Sequence, residues 1–219
     1  MNTSKRLLSF VFSVVMVFSV GQAQAVSLDF KTPGQSVLVG ERFTVDLTIS
    51  GLGNFTAPSL GAFDLFVSFE KDVLRFVDVG YGDPILGDQL DISGFGAITS
   101  TTATNIVNLT GFVNLAEISL DPAAILNTMQ PGAFTLARLS FIAEENGQSP
   151  FRIEGPGPLP GVRALGDSFG NQGPLEPITT PTGPRFVNVV PEPGTVLLFG
   201  SGLAGLLGWR WKRSRIGKE

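Results

Sequence analysis

Alternation of apolar and polar residues runs through much of the chain between residues 26 and 190 and predicts β-strands. Residues 43–50 alternate without a break, and residues 63–69 repeat the pattern. A period of two is typical of a strand with one face in the core. Other strands are predicted at residues 73–79, 106–109, 112–118, 134–143, 151–153 and 186–190, with weaker segments at 89–92 and 162–165.

Short strands separated by Gly- and Pro-containing turns predict an all-β fold of two packed sheets. One or two helical turns are expected after Pro122, with Asp121 as the N-cap and Pro122 as the first helical residue. Residues 155–184 are rich in Gly and Pro and predict a long irregular connection. The predicted core residues are Leu47, Phe63, Leu65, Leu74, Phe76, Leu139 and Phe141, with Ala137 on the same face as the last two.

The N-terminal end has the three parts of a secretory signal peptide. Lys5 and Arg6 precede an apolar run over residues 7–20, and Ala23-Gln24-Ala25 follows as a small-x-small cleavage site. We therefore expect residues 1–25 to be a signal peptide that is cut after Ala25. A retained N-terminal anchor is the alternative, and the short apolar run disfavours it.

The C-terminal end, residues 191–219, also has three parts. Pro191-Glu192-Pro193 precedes an uncharged run over residues 194–209. As a helix this run would be about 24 Å long, somewhat less than the bilayer core of about 30 Å. A basic cluster at the end is expected to stay cytoplasmic and to place the preceding chain outside the inner membrane. The basic cluster consists of Arg210, Lys212, Arg213 and Arg215.

This tripartite tail resembles the PEP-CTERM sorting signal of proteins that Gram-negative bacteria export. The resemblance implies processing near Pro191-Glu192-Pro193 by an exosortase, a membrane-embedded cysteine transpeptidase. It also implies a transient membrane anchor and a final place at the cell surface or in an extracellular polysaccharide or biofilm matrix. A plain stop-transfer anchor is the alternative interpretation.

Composition excludes several function classes. The chain has no His and no Cys, so His-based triads, thiol chemistry, disulfides and His- or Cys-ligated zinc are all excluded. Residues 26–193 hold 8 Lys or Arg and 18 Asp or Glu, although the whole chain has a formal net charge of only −4. An acidic body without a basic stripe is a poor binder of nucleic acid, so no nucleic-acid partner is expected.

The body, residues 26–190, resembles the cohesin domain. The resemblance is carried by the segments VGERFTV at 39–45, LGAFDL at 60–65, VSFEKDVLRF at 67–76 and FTLARLSF at 134–141. It implies a jelly-roll β-sandwich of about nine strands whose relatives bind calcium-containing dockerin modules through one sheet face. Glu41 and the pair Glu70-Lys71 depart from the usual family residues, and residues 85–105 do not align. No dockerin-contacting residue is carried over to this sequence.

Candidate chemistry is limited to one acidic loop. Asp83, Asp88 and Asp91 are hard oxygen ligands that would suit calcium, although their spacing is not that of an EF-hand. Ordinary solvated turn carboxylates are the alternative. No motif selects a pair of carboxylates for catalysis, and no cofactor is expected.

Three classes of function follow. The chain is interpreted as an exported, non-catalytic surface or matrix protein whose sandwich binds an unidentified surface protein or has a structural role. A carbohydrate-binding module for extracellular polysaccharide is the alternative, although the body has no Trp and only Tyr81 for stacking on sugars. An enzyme is the third class, opposed by the missing His and Cys.

Overall fold

The computed structural model describes residues 25–34, 36–105, 110–154, 164–171, 175, 178–179, 185–191 and 194. Most of these residues lie in β-strands, and the one helix among them, α1, spans Ala123–Met129. The strands are β1 (Val26–Lys31), β2 (Val37–Leu38), β3 (Arg42–Ser50), β4 (Leu60–Glu70), β5 (Leu74–Tyr81), β6 (Ala97–Asn105), β7 (Thr110–Ser119), β8 (Ala133–Ala143), β9 (Gly147–Glu154), β10 (Ala164–Asp167), β11 (Ile178–Thr179) and β12 (Arg185–Val190).

The strands form two sheets, as the alternating pattern predicted. One sheet has five strands in the order β11-β1-β3-β8-β5. The other has seven, with the order β2-β12-β9-β4-β7-β6 and β10 paired to the first part of β4. The turn after Glu70 carries the chain from β4 in one sheet to β5 in the other, where β5 pairs with β8.

The core lies between the two sheets, and Phe141 is at its centre. Its ring is within 6 Å, centroid to centroid, of four other Phe rings, and two of these belong to the opposite sheet. Those two are Phe69 at 5.1 Å and Phe151 at 5.2 Å. Of the predicted core residues all are buried except Phe76, which is partly buried and packs against the cluster.

Two local predictions were wrong, the strand at residues 89–92 and the N-cap of the helix. Residues 89–92 form turns, because the loop satisfies its own backbone groups. The strand that pairs with β7 is β6 at residues 97–105, in the Ser/Thr-rich segment; the strand predicted at 106–109 lies outside the described residues. As an edge strand, β6 tolerates polar residues on both faces, which hides it from a search for apolar alternation.

The helix begins one residue later than expected and has a different cap. Pro122 is the N-cap and makes no side-chain cap hydrogen bond. The carboxylate of Asp121 turns away to accept hydrogen bonds from the backbone N–H groups of Ile92 at 2.7 Å and Ser93 at 3.2 Å. Asp121 therefore ties the loop before β6 to the end of β7.

Candidate binding surface and carboxylate cluster

The outer surface of strands β4, β7 and β6 carries adjacent exposed apolar side chains. Ile98 on β6 and Ile118 on β7 are Cα partners, and their side chains are 58% and 52% exposed. Next along the two strands are the partners Ser100 and Ala116, whose small side chains protrude little from the sheet. We refer to this surface, from Ile98 and Ile118 to Ala116, as the outer face.

Strand alternation explains why these side chains point outward. On β7 the buried residues Val113 and Leu115 point into the core, so Ile118 points to the opposite side of the sheet. On β4 the outward Asp64 accepts a hydrogen bond of 2.6 Å from the side-chain amide of Asn114. The outer face thus has an apolar part bordered by a polar pair.

The same alternation turns Glu117 inward, and sequence reasoning missed this residue. Glu117 follows Val113 and Leu115 in phase, and its side chain is 0% exposed. Within the described part of the chain, neither of its carboxylate oxygens has a hydrogen-bond partner. The signal was present, because Glu117 is the acidic member of an otherwise apolar inward series.

Glu117 faces the acidic loop. Burial, and after it the neighbouring carboxylates of Asp88 and Asp91, together raise the pKa of Glu117 to about 9. Asp88 lies within hydrogen-bonding reach of Glu117, but two ionised carboxylates are both acceptors and make no bond. At neutral pH this pair needs a proton or a cation between its oxygens.

The three predicted calcium ligands separate in the structure. Asp83 accepts hydrogen bonds from the N–H groups of Ile85, Leu86 and Thr135 at 2.9–3.0 Å, so both its oxygens already have donors. Asp88 and Asp91 are instead neighbours of the Glu117 carboxylate. Among the described residues, no three acidic side chains stand together as a ready-made metal site.

Tyr81 is not a platform for stacking on sugars. It is partly buried, its ring centroid lies 6.2 Å from that of Phe63, and its hydroxyl donates to the carbonyl oxygen of Ser100 at 2.7 Å. Burial raises its pKa above the usual value. Tyr81 therefore connects the five-stranded sheet to β6 at the end of the sandwich where Glu117 lies.

The predicted processing residues fall mostly outside the described part of the chain. Ala25 and the exposed Pro191 are described, whereas Ala23, Glu192, Pro193, the apolar run from residue 195 and the basic cluster of Arg210, Lys212, Arg213 and Arg215 lie outside it. Within the described residues, no helix is long and apolar enough to cross a membrane.

Comparisons with known proteins identify the C-terminal motif and the fold. Residues 189–213 match the family described as the PEP-CTERM protein-sorting motif. No curated protein matches the chain. The fold matches solved cohesin domains, which confirms the cohesin-like sandwich predicted from the sequence.

Three cohesin structures illustrate the match. A type II cohesin domain from the cellulosome of Acetivibrio cellulolyticus has a TM-score of 0.55 and 18% identity, covering 75% of this chain and 95% of that chain. A type II cohesin–X-dockerin complex from the same organism has a TM-score of 0.55 and 15% identity, covering 76% and 99%. A cohesin module of a family 33 glycoside hydrolase from Clostridium perfringens has a TM-score of 0.51 and 14% identity, covering 77% and 99%.

At these identities the likeness establishes the fold. The chain combines a cohesin-like β-sandwich over most of its length with a PEP-CTERM sorting motif at residues 189–213.

Proposed function

We propose that the chain is an exported, non-catalytic surface or matrix protein whose sandwich binds another protein through the outer face. The proposal divides the chain into a signal peptide at 1–25, the sandwich at 26–190 and a sorting signal at 191–219. An exosortase would process the sorting signal after a transient stage in the inner membrane of a Gram-negative bacterium. The sandwich would then remain at the cell surface or in the extracellular matrix.

The observation that carries the binding role is the pair Ile98 and Ile118. Single exposed apolar residues are ordinary on a protein surface, but two on paired strands form a continuous apolar area. Burying such side chains against a partner is favourable at roughly 25 cal/mol per Å². Support also comes from the cohesin of Acetivibrio cellulolyticus, which was solved in complex with a dockerin.

The test is a pull-down from the organism's surface fraction with residues 26–193, run beside a glycan-binding screen and a hydrolysis assay. We expect a protein partner, with no glycan bound and no substrate turned over. Changing Ile98→Thr and Ile118→Thr together keeps β-branched residues on the strands and removes the apolar contact. The affinity for the captured partner should fall about tenfold or more, because central contacts carry most of the binding free energy.

The matched control is Ile142→Thr, the same chemical change on the outer side of the five-stranded sheet, which should leave the affinity unchanged. Equal loss in both variants would remove the outer face as the binding site. Glycan binding without a protein partner would instead favour a carbohydrate-binding module. Hydrolysis that a single carboxylate substitution abolishes would show that the protein is an enzyme.

A further inference from the structure

Glu117 is a buried acid at the end of the sandwich with no donor to satisfy it. Its Cα partners are Phe63 on β4 and Thr99 on β6, so it lies on the inner side of the sheet. Both of its oxygens are buried and neither accepts a hydrogen bond within the described residues. Burying an ionised carboxylate is costly unless it is paired, hydrogen-bonded or bound to a metal.

Asp88 and Asp91 bring further carboxylates to the same end. Oδ1 of Asp88 accepts from the N–H of Leu90 at 2.9 Å, and Oδ1 of Asp91 accepts from the N–H of Gly96 at 2.7 Å. No Lys or Arg among the described residues forms an ion pair with any of the three acids. The carboxylates of Asp88 and Glu117 are thus neighbours, with Asp91 next to them, and none has a positive partner among the described residues.

Asp83, in the same loop, is a structural acid whose carboxylate is fully hydrogen-bonded to the backbone. Three backbone N–H groups point at its two oxygens, so it needs no ligand. The loop therefore provides donors for both oxygens of Asp83 and for Oδ1 of Asp88 and Asp91, whereas Glu117 has none among the described residues. Either a proton on Glu117 or a small cation with an affinity for oxygen would balance these carboxylates.

We propose that Asp88, Asp91 and Glu117 bind a calcium ion, which fastens the loop over residues 82–96 to strand β7. The neighbouring carboxylates of Asp88 and Glu117 form the centre of the site, and Asp91 is the next carboxylate. Calcium accepts 6–8 oxygen ligands in flexible geometry, so backbone carbonyls and water complete its shell without a ready-made trio of acids. Magnesium, which demands a near-ideal octahedron and sheds its water reluctantly, fits such a buried side chain less well.

The first experiment measures the melting temperature of the full-length chain in detergent with a calcium chelator, with calcium and with magnesium. Extracellular modules bind calcium with a Kd of about 10⁻⁴–10⁻³ M, so the titration should extend to about 10–100 mM calcium, which is about 100 times Kd. We expect calcium to raise the Tm by about 5 °C or more when it reaches about 100 times Kd, and magnesium to raise it less. In Glu117→Gln the calcium shift should disappear.

Two further variants keep this measurement decisive. Asp64→Asn removes an exposed carboxylate on the outer side of β4 and should keep the full calcium shift. If Glu117→Gln does not fold, Asp88→Asn in the partly exposed loop replaces it and should reduce the shift. A Tm that ignores calcium, or responds equally in wild type and Glu117→Gln, overturns the proposal. A Tm that rises on acidification and ignores calcium identifies a shared proton and also overturns it.

The second experiment locates the ion. Tyr81 is the only Tyr in the chain and lies close enough to Glu117 for that carboxylate to influence its pKa. Terbium, which replaces calcium at oxygen sites, should therefore luminesce when Tyr81 is excited. Calcium should compete the signal away, and Tyr81→Phe should reduce it to the background from Trp209 and Trp211. A terbium signal unchanged by Tyr81→Phe would place the ion elsewhere and contradict the site.

Discussion

Asp83 is the acid whose charge the fold stabilises most clearly. Burial alone would raise its pKa, but the N–H groups of Leu86, Ile85 and Thr135 outweigh this and lower its pKa to about 2. Its carboxylate joins the start of the acidic loop to β8, because Thr135 belongs to that strand. A carboxylate that accepts several backbone hydrogen bonds favours the charged form.

Replacing this carboxylate should change the pH dependence of stability. Because the pKa of Asp83 is lowered on folding, its stabilisation is present above about pH 4 and is lost as the pH falls toward 2. Asp83→Asn should therefore lower the free energy of unfolding at pH 7 by about 1–2 kcal/mol, a value reduced by solvent on one side of the loop. Between pH 4 and pH 2 its stability should fall less than that of the wild type.

The measurement is urea unfolding at a series of pH values. Asp72→Asn, at an exposed carboxylate that pairs with the adjacent Lys71, is the control and should follow the wild-type curve closely. Parallel curves for Asp83→Asn and wild type over the whole range would show that the three N–H contacts do not favour the ionised form.

At this scale the sequence indicated the acidic loop but not that Glu117 lies against it. Asp83, Asp88 and Asp91 were grouped because they are close in the chain, and spacing alone does not tell which of them receives N–H donors. That depends on the path of the turns between residues 82 and 96. Glu117 is distant in sequence and joins the cluster only because β7 turns it inward under this loop.

Among the elements, β8 joins the two sheets through Phe141. The strand pairs with both β3 and β5, and Phe141 contacts Phe69 and Phe151 across the sandwich. Removing a buried Phe ring costs both transfer free energy and a cavity, together about 3–5 kcal/mol. That is a large part of a domain stability of about 5–15 kcal/mol.

Phe141→Ala should therefore unfold the sandwich or lower its Tm by about 6 °C or more. Calorimetry or circular dichroism on heating measures the change. Phe186→Ala is the matched control, because the side chain of Phe186 is 42% exposed on β12 and its truncation should cost much less. A shift of only one or two degrees for Phe141→Ala would contradict the central position of its ring.

Strands with one buried apolar face were predictable from the sequence, whereas a polar edge strand that depends on pairing with its neighbour was not. The series in β3, β4 and β8 is apolar enough at every second position to indicate both the strand and its inner face. In contrast, β6 consists largely of Thr, Ser and Ala and is held by pairing with β7 along nine positions. Its existence depends on that partner, which local periodicity does not reveal.

At the scale of the whole molecule, the last strand of the sandwich ends two residues into the sorting motif. The last strand, β12, buries Val187 and Val189, and Arg185 makes two hydrogen bonds of 2.8 and 2.7 Å to Asp29 on β1 of the other sheet. The sorting motif begins at residue 189, so it shares only the end of β12 with the fold. Removal of the chain after Pro191 should leave the core intact, because none of the core residues lies beyond Val189 among those described.

The final prediction concerns processing at both ends. If a signal peptidase and an exosortase act as proposed, protein recovered from the cell surface or medium should lack residues 1–25 and the tail beyond the Pro191-Glu192-Pro193 region. Intact-mass measurement checks both cuts at once. Replacing Pro191, Glu192 and Pro193 together by Ala should leave the tail attached and the protein in the membrane fraction. The thermal unfolding of its sandwich should stay unchanged, because the exposed Pro191 lies outside the core. A wild-type mass that still includes Trp209 and Glu219 would instead indicate a plain membrane anchor.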